Sequence, residues 1–184
     1  MIDLRNISWT ACLFAALWVI AAPSAMALEA GKPAPSIEIA ISDGKVFKSS
    51  EAKGEVIVVN LWATWCTFCR EEMPALEAYY QRHKNEGLRM IAVSMDEASE
   101  DGLARDVMRS YSYTAGIGRL SNLKGFGRIW RLPMTFVIDR NGILRKDGSE
   151  GDPKIDLSTL EREVTPLLRS GETQKAIRAP TEAE

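Results

Sequence analysis

An α/β sandwich with a parallel core is the fold class that the sequence predicts. Three observations lead there. Runs of β-branched and apolar residues stand at 56–61 (VIVVNL), 88–94 (LRMIAVS) and 134–139 (MTFVID). Segments with helical spacing lie between and after them. Strands that alternate with helices bury both faces of a largely parallel sheet. The length of 184 residues suits one such domain with extensions.

The elements follow in order. Residues 9–22 (WTACLFAALWVIAA) carry no charge, and PSAMA follows, with Ala25 and Ala27 in an A-x-A arrangement. Residues 1–27 therefore have the layout of a secretory signal peptide cut after Ala27. The uncharged stretch is shorter than the roughly 20 residues of a full membrane span; an uncleaved anchor is the alternative. Either way the remainder is expected in the periplasm or another extracytoplasmic space, where disulfides form. Residues 28–35 read as a linker, 36–170 as the domain and 171–184 as a flexible polar tail. Alternation over 36–41, the Asp43-Gly44 turn signal and a return at 46–48 predict an N-terminal β-hairpin. Met73, Leu76, Tyr79 and Tyr80 place a helix from Cys66 to the stop at Gly87, with Pro74 inside it as a kink. Ser99 is the expected cap of a helix reaching about residue 111, and 120–130 reads as a short helix. Asn141-Gly142 turns the third strand into a returning strand at 143–146, adding an antiparallel edge. Residues 155–168 form an amphipathic terminal helix.

A formal net charge of -2 with scattered basic residues gives no nucleic-acid surface. Of three cysteines, Cys12 lies in the apolar leader as a small hydrophobe. Cys66 and Cys69 remain, three residues apart at a strand-to-helix junction, and their only intramolecular partners are each other. Unpaired N–H groups and the macrodipole at a helix N-terminus favour an anion, which lowers the pKa of the first thiol. Cys66 is then the attacking thiolate, and Cys69, one turn on, resolves the mixed disulfide. Zinc needs four ligands, usually two such pairs. The sole histidine, His83, is some four turns away and reads as a solvated helix-end residue. A purely structural bond would close too small a loop to stabilise much. A Cu(I) carrier using Cys66, Cys69 and Met134 is a second functional class. A peroxidase lacks the Pro and Thr it needs, since Val59 and Ala63 stand there.

W-A-x-W-C-x-x-C, the proline at Pro74 and LP-x-TFVID together resemble the thioredoxin superfamily, and within it the exported TlpA-like and ResA/CcmG-like thiol–disulfide oxidoreductases. The resemblance covers roughly residues 31–168. It implies a thioredoxin fold, a central mixed sheet flanked by helices, here with the extra hairpin. It implies that Pro133 is the cis-proline beside the cysteines and that the backbone of Leu132 pairs with an extended substrate. It gives Glu72, three residues after Cys69, a part in tuning the cysteines and relaying protons, with Glu71 only favouring the helix start. Thioredoxins proper carry a buried Asp where this chain has Asn60, which cannot act as a base. Trp62 is expected in the core and Trp65 on a rim that touches partners. Thr67 and Phe68, between the cysteines, fall outside the usual dipeptide guide to redox poise; Phe68 either contacts partners or covers Cys69. Two carboxylates near Cys66 oppose its ionisation, which argues against a strong DsbA-like oxidant. The implied activity is reduction of disulfides in specific extracytoplasmic proteins, apocytochrome c or copper-site assembly proteins among them. Recharging would come from a membrane electron donor of the DsbD/CcdA type. A disulfide-donating oxidase of the same fold is the alternative. Thiolate exchange requires no organic cofactor and no metal.

Overall fold

A computed structural model describes residues 28–170. The expected signal peptide, 1–27, and the expected tail, 171–184, lie outside the described residues. The strands are β1 (Glu38–Ile41), β2 (Val46–Lys48), β3 (Val56–Trp62), β4 (Leu88–Ser94), β5 (Thr114–Asn122), β6 (Met134–Ile138) and β7 (Leu144–Lys146). The helices are α1 (Thr67–His83), α2 (Asp101–Met108) and α3 (Leu157–Glu163), and helical backbone resumes at 165–170. One seven-stranded sheet runs in the order β2-β1-β5-β4-β3-β6-β7. β3, β4 and β5 are parallel; the flanking pairs are antiparallel. This is the mixed α/β sheet the sequence predicts, with the hairpin β1–β2 added at one edge.

β3 is buried along its whole length and divides the core by alternation. Val56, Val58 and Trp62 face α1, α2 and α3; Ile57, Val59 and Leu61 face the opposite layer. The crossovers β3-α1-β4 and β4-α2-β5 step in the same direction, so right-handed connection puts α1 and α2 on one face. Ile37, Ile39, Leu123 and Phe126 cover the other face, and Phe126 stacks on Phe136 with ring centroids 3.9 Å apart. Among the described residues no helix is long and apolar enough to cross a membrane.

Three expectations are corrected. Residues 120–130 are not a helix: they complete β5 and then form a 3-10 turn at Lys124–Phe126. β5 escaped the sequence reading because its buried positions are Gly116 and Gly118. A Cβ on Gly116 would come within 2.6 Å of Ile39 and 3.2 Å of Val93, so close packing of the sheet excludes the side chain that would have signalled a strand. Ser99 does not cap α2; it lies in a 3-10 turn, Ala98–Glu100, where the Glu97 N–H donates to the Glu100 carboxylate. The segment 28–35, read as a linker, runs along the sheet edge: Gly31 N–H donates to Leu144 O and Ala34 N–H to Gly142 O. His83 is not solvated, since only 13% of its side chain is exposed. It packs on Tyr79 at 4.3 Å and its Nδ1 lies 3.0 Å from Glu86.

Candidate active site

Strand β3 delivers the chain to the site, and α1 begins there. Cys66 is the N-cap, and its Sγ accepts a hydrogen bond of 3.2 Å from the Cys69 N–H. Cys66 and Cys69 are joined by a disulfide with Cα atoms 5.3 Å apart. Cys66 keeps 6% of its surface exposed and Cys69 none, so an external sulfur can approach only the first of the pair. The loop before the cap is held by a buried carboxylate. Asp96 accepts from the Thr64 N–H at 2.9 Å, from the Thr64 hydroxyl at 2.8 Å and from the Ser94 hydroxyl at 2.7 Å. The end of β4 thereby fixes the segment that carries Trp65 and Cys66. Sequence reading passed over Asp96, and only its two-residue distance from the end of an apolar strand marks it.

α1 turns Cys69, Glu72, Met73, Leu76 and Tyr79 inward at helical spacing and continues through Pro74. Glu72, one turn after Cys69, is 2% exposed. Its Oε1 accepts from Asn60 Nδ2 at 2.7 Å and its Oε2 from the Ile155 N–H at 3.0 Å. Burial pushes its pKa up from the usual 4.5 to about 7, against the opposing pull of those two donors and of Lys154 and Lys146. Asn60 also donates to Thr135 Oγ1 at 3.0 Å, across the β3–β6 pairing that places the two residues opposite each other. Thr135, Ile155, Lys146 and Lys154 had no signal in the sequence, because sheet register and a loop 83 positions away bring them here.

Pro133 is buried and follows a cis Leu132–Pro133 bond. Leu132 is half-buried and packs against both core layers. Trp62 is in the core; Trp65 and Phe68 are each 67% exposed, so Phe68 stands at the rim rather than over Cys69. Arg131 lies 4.8 Å from the ring of exposed Trp130 and donates to Gly148 O, Glu150 O and Gly151 O, tying the proline segment to the loop before α3. A cleft of about 390 Å³ lined by Thr64, Thr67, Arg70, Glu71, Val107, Ser110 and Tyr111 opens beside the first turn of α1. Met134 does not join the cysteines. It pairs with Leu61 and is buried in the layer on the other sheet face, since alternation along β6 sends Thr135, not Met134, toward α1. Among the described residues no cluster of three His, Cys, Asp or Glu could hold a metal ion.

A bonded sulfur pair at a helix start, with one cysteine slightly exposed and the other buried one turn from a protonatable carboxyl, is equipped for thiol–disulfide exchange. Comparison with known proteins agrees. The Redoxin family profile matches residues 29–164. The thiol-disulfide oxidoreductase ResA of Bacillus thuringiensis subsp. konkukian is 29% identical over 142 residues, spanning 76% of this chain and 80% of that protein. The thioredoxin-like protein YneN of Bacillus subtilis is 29% identical over 122 residues, 64% of this chain and 70% of its own. The crystal structure of a thiol:disulfide interchange protein of the thioredoxin family from Chlorobium tepidum superposes with a TM-score of 0.63 at 25% identity, covering 77% of this chain and 99% of that one. The chain belongs to the Redoxin family and is a ResA/CcmG-like thiol:disulfide oxidoreductase of the thioredoxin superfamily.

Proposed function

We propose that the protein is exported and reduces disulfides in specific extracytoplasmic proteins, with Cys66 as the attacking sulfur and Cys69 as the resolving one. The observation that carries this direction is the buried carboxyl of Glu72 one turn from Cys69. A carboxylate there disfavours thiolate formation, and an oxidant of the DsbA kind depends on a stabilised thiolate form. The same carboxyl can accept the Cys69 proton when Cys69 becomes the second nucleophile. Partner segments would dock in extended form on the backbone of Leu132 beside Pro133, with Trp65 at the rim. Apocytochrome c or copper-site assembly proteins are the substrates that the family resemblance favours, with a membrane donor of the DsbD/CcdA type restoring the dithiol. The leader-like layout of residues 9–27 supports export, with the leader either cleaved after Ala27 or kept as an anchor.

The test is the reduction potential of Cys66–Cys69, followed by tryptophan fluorescence in thiol buffers. A value near about −270 mV is expected for a dedicated reductant; one near about −120 mV marks a disulfide donor and reverses the direction. Cys66→Ser should abolish turnover. Cys69→Ser should accumulate the partner as a mixed disulfide, and normal turnover in that variant removes Cys69 from the resolving role.

A further inference from the structure

Asn60 lies at the centre of β3, fully buried, on the face that packs against α1. Both of its bonds run through Nδ2, to Glu72 Oε1 at 2.7 Å and to Thr135 Oγ1 at 3.0 Å. Its Oδ1 is also buried and has no hydrogen-bond partner among the described residues. A buried acceptor without a partner asks for an explanation.

The explanation lies in what Glu72 needs. The two donors that reach it, Asn60 Nδ2 and the Ile155 N–H, suit the carboxylate. Burial holds the group near 7, so the acid is populated at neutral pH as well. The acid carries an O–H that requires an acceptor. The charges of Lys146 of β7 and Lys154 of the loop before α3 act on Glu72, as does the neighbouring Tyr113 ahead of β5, and Cys69 lies one turn back on the same buried face of its own helix. The two ammonium groups accept nothing, and the Tyr113 hydroxyl, an acceptor in kind, has no hydrogen-bond partner among the described residues and so does not reach Glu72. Asn60 carries an unused acceptor on the side chain that already touches Glu72. The amide N and O are nearly alike in size, so a half-turn of the amide exchanges them without a change in volume. In either orientation one end of the amide is bonded twice and the other is unpaired. The two orientations therefore differ chiefly in what they offer Glu72.

We propose that Asn60 is a positioning residue that follows the proton on Glu72: its Nδ2 faces the carboxylate, and its Oδ1 turns in to accept the O–H when Glu72 is protonated. This rests on the reading of Glu72 as the proton-handling group. The step adds one proton to Glu72 and forms or breaks no bond between heavy atoms. The proton comes from solvent or, during exchange, from the Cys69 thiol, which leaves as thiolate while Glu72 becomes the acid. Thr135 changes from accepting at Oγ1 to donating its hydroxyl to Oδ1. An aspartate at position 60 could not serve, because two carboxylates would then compete for one proton.

The experiment is an NMR titration of the oxidised full chain between about pH 5 and pH 9, a window centred on the group's raised value. The Glu72 carboxyl carbon reports protonation. Nuclear Overhauser contacts from the Asn60 side-chain amide protons to Glu72 and Thr135 report the orientation. The contacts should be strong above the Glu72 midpoint and fade below it, with the same midpoint and a parallel shift of the Asn60 side-chain nitrogen. Contacts that persist unchanged while Glu72 titrates overturn the proposal and leave Glu72 in its role. A Glu72 carbon that does not titrate in this window overturns both. In Asn60→Asp the Glu72 midpoint should rise by at least about one pH unit, as for carboxylates that share a site; an unchanged midpoint also overturns it.

Discussion

At the scale of single residues, Glu72 makes the stability of the protein depend on pH in an unusual direction. Its folded-state pKa of about 7 lies above the ordinary 4.5, so the folded protein binds this proton more tightly than the unfolded chain does. Its contribution is complete below about pH 4.5 and is lost as pH rises through 7. The shift corresponds to up to about 3 kcal/mol. Urea unfolding should show the oxidised protein less stable at pH 8 than at pH 5, with most of that difference gone in Glu72→Gln. A second residue-scale prediction concerns Asp96. Asp96→Ala leaves the Thr64 N–H and hydroxyl without their buried acceptor and should cost about 2 kcal/mol. The exposed Trp65, one residue on, should report the loosened loop as a change in emission.

At the scale of elements, the loop before α3 is clamped between β6 and α1. A Cβ on Gly148 would stand 2.7 Å from Thr135 N and 3.0 Å from its carbonyl carbon, and this backbone cannot yield inside the β3–β6 pairing. Gly148→Ala should therefore displace the loop at a cost of about 1–3 kcal/mol. The Ile155 N–H should then part from Glu72, raising the Glu72 pKa further, which a carbon-13 titration measures. The elements most legible in the sequence were those whose side chains face apolar surroundings on both sides. VIVVNL, LRMIAVS and MTFVID are β3, β4 and β6 almost to the residue. β5 was not legible, because its inward positions are glycines and its outward ones, such as Leu120 and Arg119, carry no alternation. Much the same divides the site. Cys66, Cys69 and the inward turn of Glu72 follow from spacing along one helix. The partners of Glu72 depend on strand register and on a distant loop, which one-dimensional spacing does not encode.

At the scale of the whole molecule, the disulfide couples redox state to folding. Closing a loop of four residues constrains the unfolded chain by about 2 kcal/mol in the chain-entropy account. For a dedicated reductant the oxidised protein should be the more stable form, by roughly that amount. For a disulfide donor the sign reverses, because the reduced form is then the stabilised one. Urea unfolding with and without reductant therefore reads the direction of electron flow without any partner protein.

The sulfur proposed to attack is also the atom that closes the first turn of α1, since Cys66 Sγ accepts the Cys69 N–H. A thiolate is a stronger acceptor than a disulfide sulfur, as charged acceptors generally are. The helix start should therefore tighten or fray with each catalytic state. Amide deuterium exchange at Cys69 becomes a clock for the chemistry: slow while Cys66 is a free thiolate, faster once that sulfur is bonded to Cys69 or to a partner.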